Sequence, residues 1–115
     1  MPVNEMFDIG ETSKNGTALL TLRGEFDATA VPALRESIQR QIDAGCSSMV
    51  VNLLDARFID STTLGVLAGA QKRLAEHGAD PLLVVAAGQI ARVFRITGLD
   101  RVLAVSEELP DTLTA

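Results

Sequence analysis

The segment Ser48-Met49-Val50-Val51-Asn52-Leu53-Leu54 constrains the fold more than any other part of the chain. A near-continuous apolar run of this length marks a strand buried on both faces, the habit of parallel sheets. Pro81-Leu82-Leu83-Val84-Val85-Ala86 is a second such run. Between them lies a helical stretch, predicted over 61–77, with Leu64, Leu67 and Leu74 on one side and Gly78 as its stop. Two buried strands joined through a helix require a crossover, which is right-handed in nearly all proteins. The chain is therefore read as α/β.

The flanking segments extend this reading. Asn15-Gly16 predicts a hairpin turn between a strand near 6–9 and a clearer one over 18–22. Val31, Leu34, Ile38 and Ile42 share one helix face, with Pro32 in the first turn, Asp27 or Thr29 as cap and Gly45 as the stop. Residues 55–60 read as a loop holding Phe58 and Ile59. A third helix is predicted over 89–97 with Ile90, Val93, Phe94 and Thr97 inward, and Gly98 ending it. A strand follows over 102–105, then a short helix opened by Ser106-Glu107-Glu108. The order β-β-α-β-α-β-α-β-α gives a small sheet, mainly parallel with an antiparallel N-terminal edge pair, packed with about four helices. At 115 residues it is one domain.

Composition removes several function classes. Fifteen acidic against ten basic residues give a net charge of −5, unsuited to neutralising phosphates. Four Phe with no Trp or Tyr leave no platform for stacking bases. Nucleic acid is thus not an expected partner. Cys46 is the sole cysteine, so no intrachain disulfide and no multi-cysteine metal cluster is expected. Residues 1–10 lack the pattern of a secretion signal, and no run of 18 apolar residues exists, so the expected location is the cytoplasm.

Catalytic readings find little support. His77 is the single histidine and falls at the end of the second helix opposite Ser61. There is no P-loop and no dinucleotide fingerprint, so no cofactor is expected. A phospho-aspartate receiver would need an acidic pair after an early strand and a Lys after a late one, and neither is present. An enzyme with a small cleft site is the remaining, weaker catalytic alternative. Gly65 and Gly69, four apart, read as a close approach of helix to sheet.

What stands out is Asp60-Ser61-Thr62-Thr63-Leu64-Gly65, where oxygen-bearing side chains open a helix just after a buried strand. One cap would suffice there, and three hydroxyls exceed that need. The C-terminal ends of strands are where open α/β sheets place their sites. A phosphate on Ser61 would carry roughly −1.5 to −2 charges. Backbone N–H groups and the helix dipole are expected to favour it, so its effect would fall on a partner. A shift of about 2.7 kcal/mol in binding would be about a hundredfold, enough for a switch.

These residues resemble a known family. Asn52-Leu53-Leu54-Asp55-Ala56-Arg57-Phe58-Ile59-Asp60-Ser61-Thr62-Thr63-Leu64-Gly65-Val66-Leu67 is similar to the signature of STAS domains of the bacterial anti-sigma-factor antagonist type. Leu22-Arg23-Gly24-Glu25-Phe26-Asp27 and Val93-Phe94-Arg95-Ile96-Thr97-Gly98-Leu99 resemble two further family segments in the same order. The likeness covers residues 7–109.

The resemblance implies a binding module and not an enzyme. Its partner would be an anti-sigma factor of the serine-kinase type, and a serine phosphatase would reset it. The phosphoacceptor would be Ser61. The partner surface would comprise Asp27, Asp60, Thr62, Thr63, Leu64 and Gly65. Thr63 stands where the family usually has Gly, which keeps in view an unphosphorylated scaffold or sensor subunit of a stressosome-like or lipid-transport complex.

Overall fold

A computed structural model of the chain describes residues 6–114. Asn15 and Gly16 both have positive φ, the pair of left-handed residues a tight hairpin turn requires. They join β1 (Phe7–Lys14) to β2 (Thr17–Phe26), both much longer than predicted. Phe7 pairs with Gly24 and Lys14 with Thr17, antiparallel. Asp27 starts a short 3-10 turn (Ala28–Ala30) that leads into α1 (Val31–Asp43). Gly45, at φ 84°, turns the chain out of the helix.

The central apolar run forms β3 (Ser48–Asn52), two residues shorter than expected. Asn52 Oδ1 accepts the Leu54 N–H at 3.0 Å, folding the chain out of the ladder. The predicted loop is in part a strand, β4 (Ala56–Ile59), which pairs parallel with the far half of β2. Then come α2 (Ser61–Glu76), β5 (Leu83–Val85), α3 (Gly88–Ile96), β6 (Ala104–Ser106) and α4 (Asp111–Thr114). The predicted last strand began at 102, yet Val102 lies in a turn. Ser106 ends β6 and opens no helix: its hydroxyl accepts the Glu108 N–H at 3.2 Å. Thr97, expected inward, is exposed with its hydroxyl donating to the Val93 carbonyl at 2.8 Å.

The sheet order is β1-β2-β3-β5-β6, with β4 beside β2 beyond the end of β3. The three crossovers step the same way across the sheet, so right-handedness puts α1, α2 and α3 on one face. The core confirms this. Leu34 and Ile38 of α1, Leu67 and Leu74 of α2, and Phe94 of α3 meet Leu20, Leu22, Met49, Val51 and Val84 in one cluster. Val50 and Val85 are also buried but stand outside it, because they alternate onto the other face. Burying a large apolar side chain contributes roughly 1.5–3 kcal/mol, so this one-sided core supplies most of the fold's stability. Gly65 and Gly69 correct the sequence reading. Both are exposed, and a Cβ on either would meet nothing within 4 Å.

Candidate functional site

The site is built from two matching strand ends. Phe26 of β2 and Ile59 of β4 are register partners and both enter the core. Each is followed by an aspartate in extended backbone: Asp27 at φ −114°, ψ −166°, and Asp60 at φ −114°, ψ −177°. Each carboxylate folds forward over the turn it starts. Asp27 Oδ1 accepts the Thr29 N–H at 2.9 Å and its hydroxyl at 2.6 Å. Asp60 Oδ1 accepts the Thr62 and Thr63 N–H groups, both at 3.1 Å, and the Thr62 hydroxyl at 2.6 Å. The twin geometry follows from Asp-x-Thr in each turn, where Asp accepts from the residues after it.

The two ends are also joined. The Phe26 carbonyl accepts the Asp60 N–H at 3.2 Å and the Thr63 hydroxyl at 2.9 Å. Thr63 is fully buried and Leu64 nearly so. This corrects the expectation that they present side chains to a partner. The residue three past the cap points inward, in line with Leu67, Ala70 and Leu74 at steps of four, three and four. Thr62 and Gly65 are exposed, as are Asp27 and Ser61, while Asp60 is half-buried.

The hydroxyls are therefore not equivalent. Those of Thr62 and Thr63 are occupied in building the helix start. The Ser61 hydroxyl is exposed and holds no hydrogen bond among the described residues. The first turn of α2 is also less open to an anion than its sequence suggests. Asp60 already holds two of its N–H groups, and the Leu64 N–H is bonded to the Asp60 carbonyl at 3.2 Å.

The charge at the site is negative. Hydrogen bonding from the Thr62 hydroxyl, joined by the Thr63 and Thr62 N–H groups, outweighs desolvation and holds the Asp60 carboxyl below its usual range. The Thr29 hydroxyl and N–H do the same for Asp27, opposed in part by desolvation and, less, by the neighbouring Asp60. Both are ionised at neutral pH.

The remaining sequence candidates lie elsewhere. His77 caps the far end of α2, its Nδ1 2.8 Å from the Arg73 carbonyl oxygen. Sixteen residues of helix separate it from Ser61, about 24 Å. A half-open cleft of about 270 Å³ runs between α3 and β6, lined by Ala91, Arg95, Asp100, Val105, Ser106 and Glu107. It shares no residue with the strand-end site. Among the described residues, no group of three His, Cys, Asp or Glu side chains could hold a metal, and no helix is long and apolar enough to cross a membrane. Sequence reasoning missed Phe58 and Met6, large apolar side chains left about half exposed beside the strand ends. Reading 55–60 as a loop hides the outward turn of Phe58, and Met6 reads only as the start of the first strand.

Comparison with known proteins agrees with this architecture. The family model for the STAS domain matches residues 11–112. The anti-sigma-B factor antagonist of Staphylococcus aureus is 33% identical over 84 residues, covering 73% of this chain and 78% of that protein. A crystal structure of an anti-sigma factor antagonist from Mycobacterium paratuberculosis superposes with a TM-score of 0.85 at 25% identity, over 99% of this chain and 97% of that one. The Bacillus cell-fate determinant SpoIIAA in its phosphorylated form matches with a TM-score of 0.63 at 27% identity, over 89% of this chain and 92% of that one. A sheet with one antiparallel edge pair, helices on one face and the Asp60-Ser61 helix start thus places the chain in a family: it belongs to the STAS domain family.

Proposed function

We propose that this protein is an anti-sigma-factor antagonist of the bacterial cytoplasm, switched by phosphorylation of Ser61. In its unmodified form it captures an anti-sigma factor of the serine-kinase type and so frees a sigma factor. The phosphate ends the capture, and a serine phosphatase restores it. The protein acts as a substrate and binding module and performs no chemistry itself.

One observation carries this reading. Of the three consecutive hydroxyls at the helix start, only that of Ser61 is left over from the local hydrogen bonding, and it is exposed. The names of the relatives and the phosphorylated SpoIIAA structure support it. A phosphate there would sit beside two ionised carboxylates with few free N–H groups to receive it. It would face solvent and repel or desolvate whatever docks, which is how such a dianion breaks a contact. The Thr63 side chain is buried, so its departure from the family's usual Gly does not alter the contact surface.

Ser61→Asp should abolish capture of the cognate anti-sigma factor, and Ser61→Ala should preserve capture and refuse phosphate. Intact mass after incubation with the kinase and ATP should show one added phosphate of about 80 Da on the unmodified chain. Equal capture by the unmodified chain and Ser61→Asp, at equal folding, would refute the switch.

A further inference from the structure

Three large apolar side chains that a soluble domain would ordinarily cover collect at one end of the sheet: Met6 at 51%, Leu54 at 42% and Phe58 at 49% exposure. The backbone shows why they are together. The Met6 carbonyl accepts the Glu25 N–H at 2.6 Å, and the Asp55 carbonyl accepts the Gly24 N–H at 3.2 Å. Glu25 and Phe58 are register partners. Met6, Glu25 and Phe58 therefore form one cross-strand row over β2, with Leu54 in the turn just before β4.

Two local devices create this row. The register of β2 and β4 shifts between Gly24 and Glu25, so that Arg57 is an extra residue on β4. Without the bulge, Phe58 would pair with Phe26 and turn into the core. With it, Ile59 takes the core position and Phe58 is turned out. Bulges re-aim side chains in this way next to sites. The second device is Gly24, at φ 93°. A Cβ there would lie 2.2 Å from the Met6 carbonyl oxygen, so only glycine lets the Met6 segment lie against β2.

We infer that the Met6–Phe58 row is a second contact element for the partner that reads Ser61, with Phe58 as its apolar anchor. This rests on the proposed function. Alternation along β2 and β4 puts Glu25 and Phe58 on the same sides as Asp27 and Asp60, so the row is continuous with the strand-end site. Its surroundings are net anionic: Glu25, Asp27, Asp55 and Asp60 are close by in the chain, against the cation Arg57, whose guanidinium lies 3.9 Å from the Glu25 carboxylate. The occupant that fits is a protein face with an apolar pocket for the phenyl ring and a cationic rim for the carboxylates. Aromatic anchors in pockets dominate such interfaces.

The test measures capture of each purified anti-sigma factor encoded in the protein's own genome, by biolayer interferometry without ATP. Phe58→Ala should weaken capture by at least tenfold with an unchanged urea midpoint. Ile96→Ala, at a side chain 71% exposed on α3, should stay within twofold of the unmodified chain. Phe58→Ala within twofold, while Ser61→Asp abolishes capture, overturns the anchor and leaves the switch standing. Unchanged capture with reduced self-association in sedimentation assigns the row to a second copy, and also overturns it. No capture by the unmodified chain refutes the underlying function and the anchor with it.

Discussion

Thr63 offers the sharpest link between one side chain and the integrity of the site. Its hydroxyl donates to the Phe26 carbonyl, which also accepts the Asp60 N–H. Thr63→Val keeps the shape and removes only that donor. The carbonyl retains its second partner, so the loss is the net value of one hydrogen bond, about 1 kcal/mol. Thr63→Gly also deletes two buried carbons, at about 0.8 kcal/mol each. It adds the backbone freedom of glycine within a helix, roughly 0.5–1 kcal/mol. Thr63→Gly should therefore cost about 3 kcal/mol and Thr63→Val about 1 kcal/mol. At about 4 °C per kcal/mol for a domain near this size, the melting temperature should fall by about 12 °C and about 4 °C respectively. Thermal unfolding followed by far-UV circular dichroism checks both values. Capture of the partner by Thr63→Val well below its melting point should be unchanged, because the side chain is not on the surface. A Thr63→Gly variant within 0.5 kcal/mol of the parent (roughly a tenth of the lower end of ordinary domain stability) would refute the buried, bonded placement.

Two further perturbations test the surrounding structure. Asp60→Ala removes the acceptor for the Thr62 and Thr63 N–H groups and should cost about 1–2 kcal/mol in urea unfolding. Asp60→Asn, which keeps an acceptor, should recover most of that stability. Glu11 of β1 ties the hairpin to α1 through Arg40 and through Gln41 at 2.9 Å, and the Arg40 hydrogen bond holds its carboxyl at about 2. A depressed carboxyl stabilises the fold above its unfolded value near 4.5 and loses that contribution as the pH falls toward 2. Arg40 is 60% exposed, so screening limits the pair to about 1 kcal/mol. Glu11→Gln should lower stability at pH 7 by about that amount and flatten its decline between pH 5 and 2. An unchanged acid limb in the variant would place the titration elsewhere.

Most of the fold was legible because its signals are periodic or stereochemical. Asn15-Gly16 specified the hairpin, and two apolar runs specified the buried strands. The miss at β4 has a physical cause. Its four residues run half-buried, exposed, exposed, buried, because the bulge at Arg57 breaks the period-two alternation by which a strand is recognised. Gly65 and Gly69 were misread because spacing alone does not say which helix face small residues occupy. Thr63 was legible in principle, since it continues the inward series of Leu67, Ala70 and Leu74, but its place among other hydroxyls suggested the surface. The twin turns at Asp27 and Asp60 were not visible as a pair. The strands that bring them together lie 33 positions apart, and the pairing depended on the missed strand.

Asp60 has one more consequence, which concerns time. Because its carboxylate already holds two N–H groups of the first turn of α2, a phosphate on Ser61 would find no vacant cradle to close and no segment to order. On the proposed function the domain would carry its mark as a passive tag, with the same backbone before and after. Setting and erasing the signal would then run at the speed of the kinase and the phosphatase alone. No slow rearrangement would remain afterwards to hold a memory of the earlier state.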